Sequence, residues 1–138
     1  MNPKSRWEKN SYTAEFSAEL EHIEPLWKEV EAKLVARGFL EKKIFAVQIL
    51  IREALNNAIC HGSKNNAEKT VRLEISIGAH EMFITVRDQG PGFDWRIHMH
   101  DEADPLLSSG RGVGLLKAYA LQVAYNDRGN VLYLTLHT

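Results

Sequence analysis

The alternation of apolar and polar positions divides the chain into strands and helices before any chemistry is considered. Tyr12, Ala14 and Phe16 alternate with Thr13, Glu15 and Ser17, the two-residue period of a half-buried strand. Over residues 24–37 the period lengthens. Leu26, Trp27, Val30, Leu34 and Val35 fall at helical spacing, with Pro25 in the first turn and Gly38 beyond the end. A longer helix is predicted over 41–61, where Ile44, Val47, Ile51, Leu55 and Ala58 form one stripe suited to packing on a sheet. At ~100° per residue, Glu53, Asn57 and His61 stack on another face of that helix. Leu50 and Ala54 border this polar row, so it reads as the wall of a pocket.

Residues 62–68 form a polar linker. Val71, Leu73, Ile75 and Ile77 then alternate with Arg72, Glu74 and Ser76, and Met82, Ile84 and Val86 repeat the pattern after a turn at 78–81. This second strand delivers the chain to Asp88. Residues 95–109 show no period and read as a polar lid. A helix over 113–121 is predicted from Leu115, Leu116, Tyr119 and Ala120, followed by a short strand at 122–125. Asn126-Asp127-Arg128-Gly129 is turn chemistry, and 131–136 gives the last strand. Helices bunched before and between antiparallel hairpins predict an α/β two-layer sandwich, not alternating βαβ units.

Composition narrows the function. The 138 residues form one domain in this reading, with the polar segment 1–11 flexible. A net charge of −1 argues against nucleic acid, which demands a basic footprint. No apolar run approaches a membrane span or a signal-peptide core, and the single cysteine, Cys60, fits a reducing compartment; the expected location is cytoplasmic.

Three short motifs carry the candidate chemistry. Mg²⁺ takes oxygen ligands and keeps several waters, so the side-chain oxygen of Asn57 could supply one ligand while phosphates supply others. Glu53, one turn earlier, could accept a proton from water or from a substrate hydroxyl. Asp88-x-Gly90-x-Gly92-Phe93 puts a carboxylate at a strand end, able to accept from an adenine amino group, with glycines that permit close backbone approach. Gly110-Arg111-Gly112-Val113-Gly114 offers backbone N–H groups and one cation to phosphates at a helix start. Each motif alone also has an ordinary reading, as helix surface, plain turn or flexible connector. His61-Gly62 reads as a helix end, and His98, His100, Asp101 and Asp104 read as lid polarity rather than a zinc site.

In this order, the motifs resemble the GHKL ATPase superfamily over residues 45–136. Glu53 to Asn57 is similar to its N box, Asp88 to Phe93 to its first glycine box, and Gly110 to Leu115 to its second. The resemblance implies a Bergerat fold, a mixed and mostly antiparallel sheet with helices on one face, holding ATP and Mg²⁺. Glu53-Ala54-x-x-Asn57-Ala58-x-x-His61 is most similar to the anti-sigma-factor serine/threonine kinases. That implies Glu53 as catalytic base, Asn57 as Mg²⁺ ligand and Asp88 as adenine contact. Gly90 and Gly92 would shape the base pocket, and Gly110, Arg111, Gly112, Val113 and Gly114 the phosphate lid. It also implies a sigma factor and a STAS-domain antagonist as partners, and a homodimer. A second reading is a non-kinase ATP-binding module of the same fold that switches partner binding by lid closure. The family's last strand often carries a Thr near the base; here the register leaves Tyr133 or Thr135, and neither is assigned.

Overall fold

The computed structural model describes residues 3–92 and 108–138, side chains of 108–113 excepted. Six strands form one sheet in the order β1-β2-β3-β4-β6-β5: β1 Lys4–Glu8, β2 Ser11–Ser17, β3 Thr70–Ile77, β4 Glu81–Asp88, β5 Gln122–Tyr125 and β6 Val131–His137. Among the described residues three α-helices accompany it: α1 Ile23–Ala36, α2 Glu41–Asn57 and α3 Ser108–Tyr119.

Alternation fixes which face of the sheet is covered. Tyr12, Ile75, Ile84, Leu134 and Val123 stand opposite one another across five strands, and Ala14, Leu73, Val86 and Leu132 form the next row. A register slip of one residue on any of these strands would turn its apolar set to the open side, so the rows hold the strands in phase. The helices bury their own stripes over these rows. From α1 come Ile23, Leu26, Trp27, Val30 and Leu34, and from α2 come Val47, Leu50, Ile51, Ala54 and Leu55. α3 adds the buried Leu116 and packs along α2, where Phe45 and Tyr119 meet edge to face at 6.1 Å.

The turn between α1 and α2 shows why glycine stands at 38. The N–H of Gly38 donates to Val35 O and that of Phe39 to Leu34 O, a helix-ending pair that demands the left-handed conformation seen at Gly38, φ 79°. On the open face of the sheet, Arg72 bridges Glu15 and Glu74, while Phe83 and Tyr133 stay exposed.

The two-layer α/β architecture is the expected one, and the structure corrects four details. Every strand pairing among the described residues is antiparallel, where the resemblance implied a partly mixed sheet. Residues 4–8, within the segment read as flexible, form the edge strand β1, held by pairing with β2 and by Trp7 packing on Tyr12 at 5.0 Å. The helix predicted over 41–61 stops being α-helical at Asn57 and closes in a π turn, Ala58–Gly62. The last helix begins at Ser108 rather than 113. Glycine weakens a helix but does not clash within it, so Gly110, Gly112 and Gly114 are carried in its backbone.

Core positions and exposed apolar positions should respond differently to truncation. Leu55→Ala, at a fully buried site on α2, is expected to cost about 2–5 kcal/mol in urea unfolding. Leu40→Ala, at a site 76% exposed, should stay within about 0.5 kcal/mol of the wild type.

Candidate nucleotide site

The site is built where α2 ends and β4 ends. A π turn widens the helix by one residue, and here Ser63 N–H donates to Ala58 O at 2.8 Å, closing the i to i+5 pattern. Glu53 and Asn57 precede the wide turn, remain in α-helical register one turn apart and are each half-buried. His61 lies inside the turn and is exposed, so the predicted three-residue row keeps only its first two members.

The widened turn brings Gly62 against Asp88. A Cβ placed on Gly62 would lie 2.3 Å from Asp88 Oδ2, and one on Gly90 would lie 1.8 Å from Gly62 O. Gly92, at φ 84°, would bring a Cβ within 1.7 Å of Arg128 O. No side chain fits at any of the three. The close approach at Gly90 is to Gly62 O and to the Asp88 carboxylate, whereas that at Gly92 is to the carbonyl of Arg128.

Asp88 is 9% exposed and ends β4 on the helix-covered face, in phase with Val86, Ile84 and Met82. Its Oδ1 accepts the Gly90 N–H at 2.7 Å. Burial pushes the carboxyl above the ordinary aspartate value, while the Gly90 bond and the charges of Lys69 and Arg128 draw it partly back. Burial, with a smaller contribution from the charge of Asp88, also holds the hydroxyl of Tyr125 at a pKa of about 12, neutral at any physiological pH. The result is a fixed, largely dry acceptor beside a helix end that carries a carboxylate and an amide. Such an acceptor suits the amino group of a planar base, and a neutral amide oxygen such as that of Asn57 suits a hard cation.

A model of the histidine kinase-like ATPase domain matches residues 16–136, nearly the whole chain. The chain belongs to that family. Among curated proteins it is similar to an anti-sigma F factor of Bacillus subtilis, 26% identical over 140 residues, covering 94% of this chain and 93% of the relative. An anti-sigma F factor of Bacillus licheniformis is 24% identical over 66% of this chain and 67% of its own length. One from Clostridium perfringens is 35% identical over a shorter stretch, 46% of this chain and 43% of that protein.

Within this ATPase domain the remaining expected residues divide. Gly110 and Arg111 fall in the first turn of α3, whose leading N–H groups lack intrahelical partners, whereas Gly112, Val113 and Gly114 lie further inside the helix with their amides committed to it. The side chains of Arg111 and Val113, Phe93, and the 95–107 part of the lid with His98, His100, Asp101 and Asp104 lie outside the described residues. Tyr133 and Thr135 stand opposite Thr85 and Phe83 on the open face of the sheet, away from the side that Asp88 occupies.

Gly62 ends the helical segment as the sequence suggests, and the fold adds a role that sequence reasoning missed: it is the surface on which the Asp88 carboxylate rests. Its position next to His61, at the end of the Glu53–Asn57 helix, was the available signal. The buried charge yields a prediction with a definite sign. Because the folded-state value is raised, ionised Asp88 opposes folding, and that cost enters as pH rises above the ordinary value of 3.8. Asp88→Asn should therefore gain stability relative to the wild type between about pH 4 and about pH 7, with no gain at about pH 3, in urea unfolding followed across pH. A difference that stays flat over that range would show that burial does not strain this carboxylate.

Proposed function

We propose that this protein is an ATP-dependent protein serine/threonine kinase that acts as an anti-sigma factor and phosphorylates a STAS-domain antagonist. The observation that carries the reading is the seat of Asp88: a buried carboxylate pressed between Gly62 and Gly90, where Gly62 ends the π turn that follows the helix bearing the half-buried Glu53 and Asn57. Support comes also from the similarity to anti-sigma F factors along almost the full chain.

In this reading ATP is a substrate. Asp88 accepts the hydrogen bond of the adenine amino group and so fixes the base, and Gly62 and Gly90 keep the carboxylate from turning away. The N–H groups at the start of α3, in the turn holding Gly110 and Arg111, bind phosphate oxygens. Asn57 is the residue that would hold Mg²⁺, which neutralises phosphate charge when bound. Glu53 accepts the proton of the incoming serine or threonine hydroxyl as its oxygen attacks the γ-phosphorus and the bond to the β–γ bridging oxygen breaks, releasing ADP. Anchoring helps Glu53: its neighbour Arg52 pairs with Glu24 of α1, which ties this turn of α2 to the helix beside it.

A kinase needs the base, and a nucleotide-gated binding module does not. Glu53→Ala should lower transfer from γ-labelled ATP to a STAS-domain partner by about 10²–10⁴-fold while leaving the Kd for ATP within about three-fold. Transfer at the wild-type rate in that variant would remove Glu53 from the chemistry. Wild-type protein that binds ATP and phosphorylates no STAS domain would favour a binding switch instead.

A further inference from the structure

The turn between β5 and β6 lies beside the Asp88 seat, and nothing in the chemistry above uses it. Its first residue, Asn126, turns its side-chain oxygen back onto the chain and accepts three backbone N–H groups, from Gly129, Asn130 and Val131, at 2.9, 3.0 and 3.1 Å. An amide oxygen facing three donors cannot exchange places with its nitrogen. The Asn126 nitrogen is therefore fixed on the other side, where it donates to Asn130 Oδ1 at 2.7 Å. That contact in turn fixes the second amide, so that Asn130 Nδ2 donates to the main-chain oxygen of Asp88 at 3.3 Å. The main-chain oxygen of Asn130 meanwhile accepts the Asp88 N–H at 3.0 Å.

Both main-chain polar groups of Asp88 are thus held by Asn130, and the orientation of Asn130 is set by Asn126. The far end of the same glycine turn meets the same loop, because Gly92 packs on Arg128 O with no room for a Cβ. We infer that Asn126 and Asn130 form a positioning device for the base-reading carboxylate: two interlocked amides that hold Asp88 and thereby set how strongly the site prefers a purine bearing a 6-amino group. This rests on the reading of Asp88 as the adenine contact. Asn126 and Asn130 themselves are positioning residues, acting through Asp88.

The test compares two nucleotides that differ only at the group in question. Calorimetric titration of the full chain with ATP and with purine riboside 5′-triphosphate, which lacks the 6-amino group, measures the preference directly. The wild type should favour ATP by about ten-fold or more, the worth of one hydrogen bond to a charged acceptor. A wild type that binds neither, or binds both equally, would overturn the assignment of Asp88 as the adenine contact itself. Given a wild-type preference, Asn130→Ala should weaken ATP binding while leaving the purine nucleotide near its wild-type Kd, so that the ratio falls toward one. A general loss of stability or of phosphate binding would weaken both nucleotides alike and leave the ratio in place, and that result would overturn the inference.

Should Asn130→Ala fail to fold, as judged by circular dichroism and thermal melting, Asn126→Asp decides the matter. An aspartate keeps the acceptor for the three N–H groups but cannot donate to Asn130. Asn130 must then turn its nitrogen toward residue 126 and withdraw it from the Asp88 oxygen. A lowered ratio in this variant supports the device, and a wild-type ratio overturns it.

Discussion

Three backbone segments close on one another at the end of β4, two of them, at Gly62 and Gly90, against the Asp88 carboxylate, and the rest of the site depends on that contact. Gly62 comes from the turn that ends α2, Gly90 and Gly92 from the turn that ends β4, and the carbonyl facing Gly92 from the β5–β6 turn. A Cβ at any of these three positions would meet an atom of another segment at 2.3 Å or less. The contact brings together the end of the helix bearing Glu53 and Asn57 and the strand end bearing the carboxylate. Neither element could place its functional group without the other.

That meeting is possible because the sheet is covered on one face only. The apolar rows that run from β2 to β5 draw α1, α2 and α3 to the same side, so the end of α2 and the end of β4 close on each other rather than on solvent. Asp88 enters this layer because it continues the phase of Met82, Ile84 and Val86, and a carboxylate in an apolar phase is buried by its neighbours whether or not burial suits it. The raised pKa of Asp88 expresses that conflict. One N–H bond and two nearby cations offset part of it.

Much of this was legible in the chain. Two-residue alternation marks β2, β3 and β4, and the same phase rule puts Asp88 inward and Thr135 outward. The candidate residues Glu53, Asn57, Asp88, Gly90 and Gly92 could be named from motif and order, and of these the structure sets Asp88 and Gly90 against each other. Three features were not legible, each for a physical reason. The π turn at 58–62 has no distinct residue spacing, since one extra residue in a turn is dictated by what the turn packs against. Residues 4–8 carry too few apolar side chains to announce a strand, and take their order from the edge of β2. The role of Gly62 depends on a neighbour 26 positions away in the chain, a proximity that no local pattern contains.

The central claim is that the buried Asp88 carboxylate in its glycine seat reads the base of a bound nucleotide. Calorimetric titration with ATP and Mg²⁺, on the wild type and on Asp88→Asn in parallel, tests it most directly. The account predicts binding in the micromolar range for the wild type and none detectable for the variant, with both proteins folded. Equal affinity in the two, or no binding by the wild type, would contradict it.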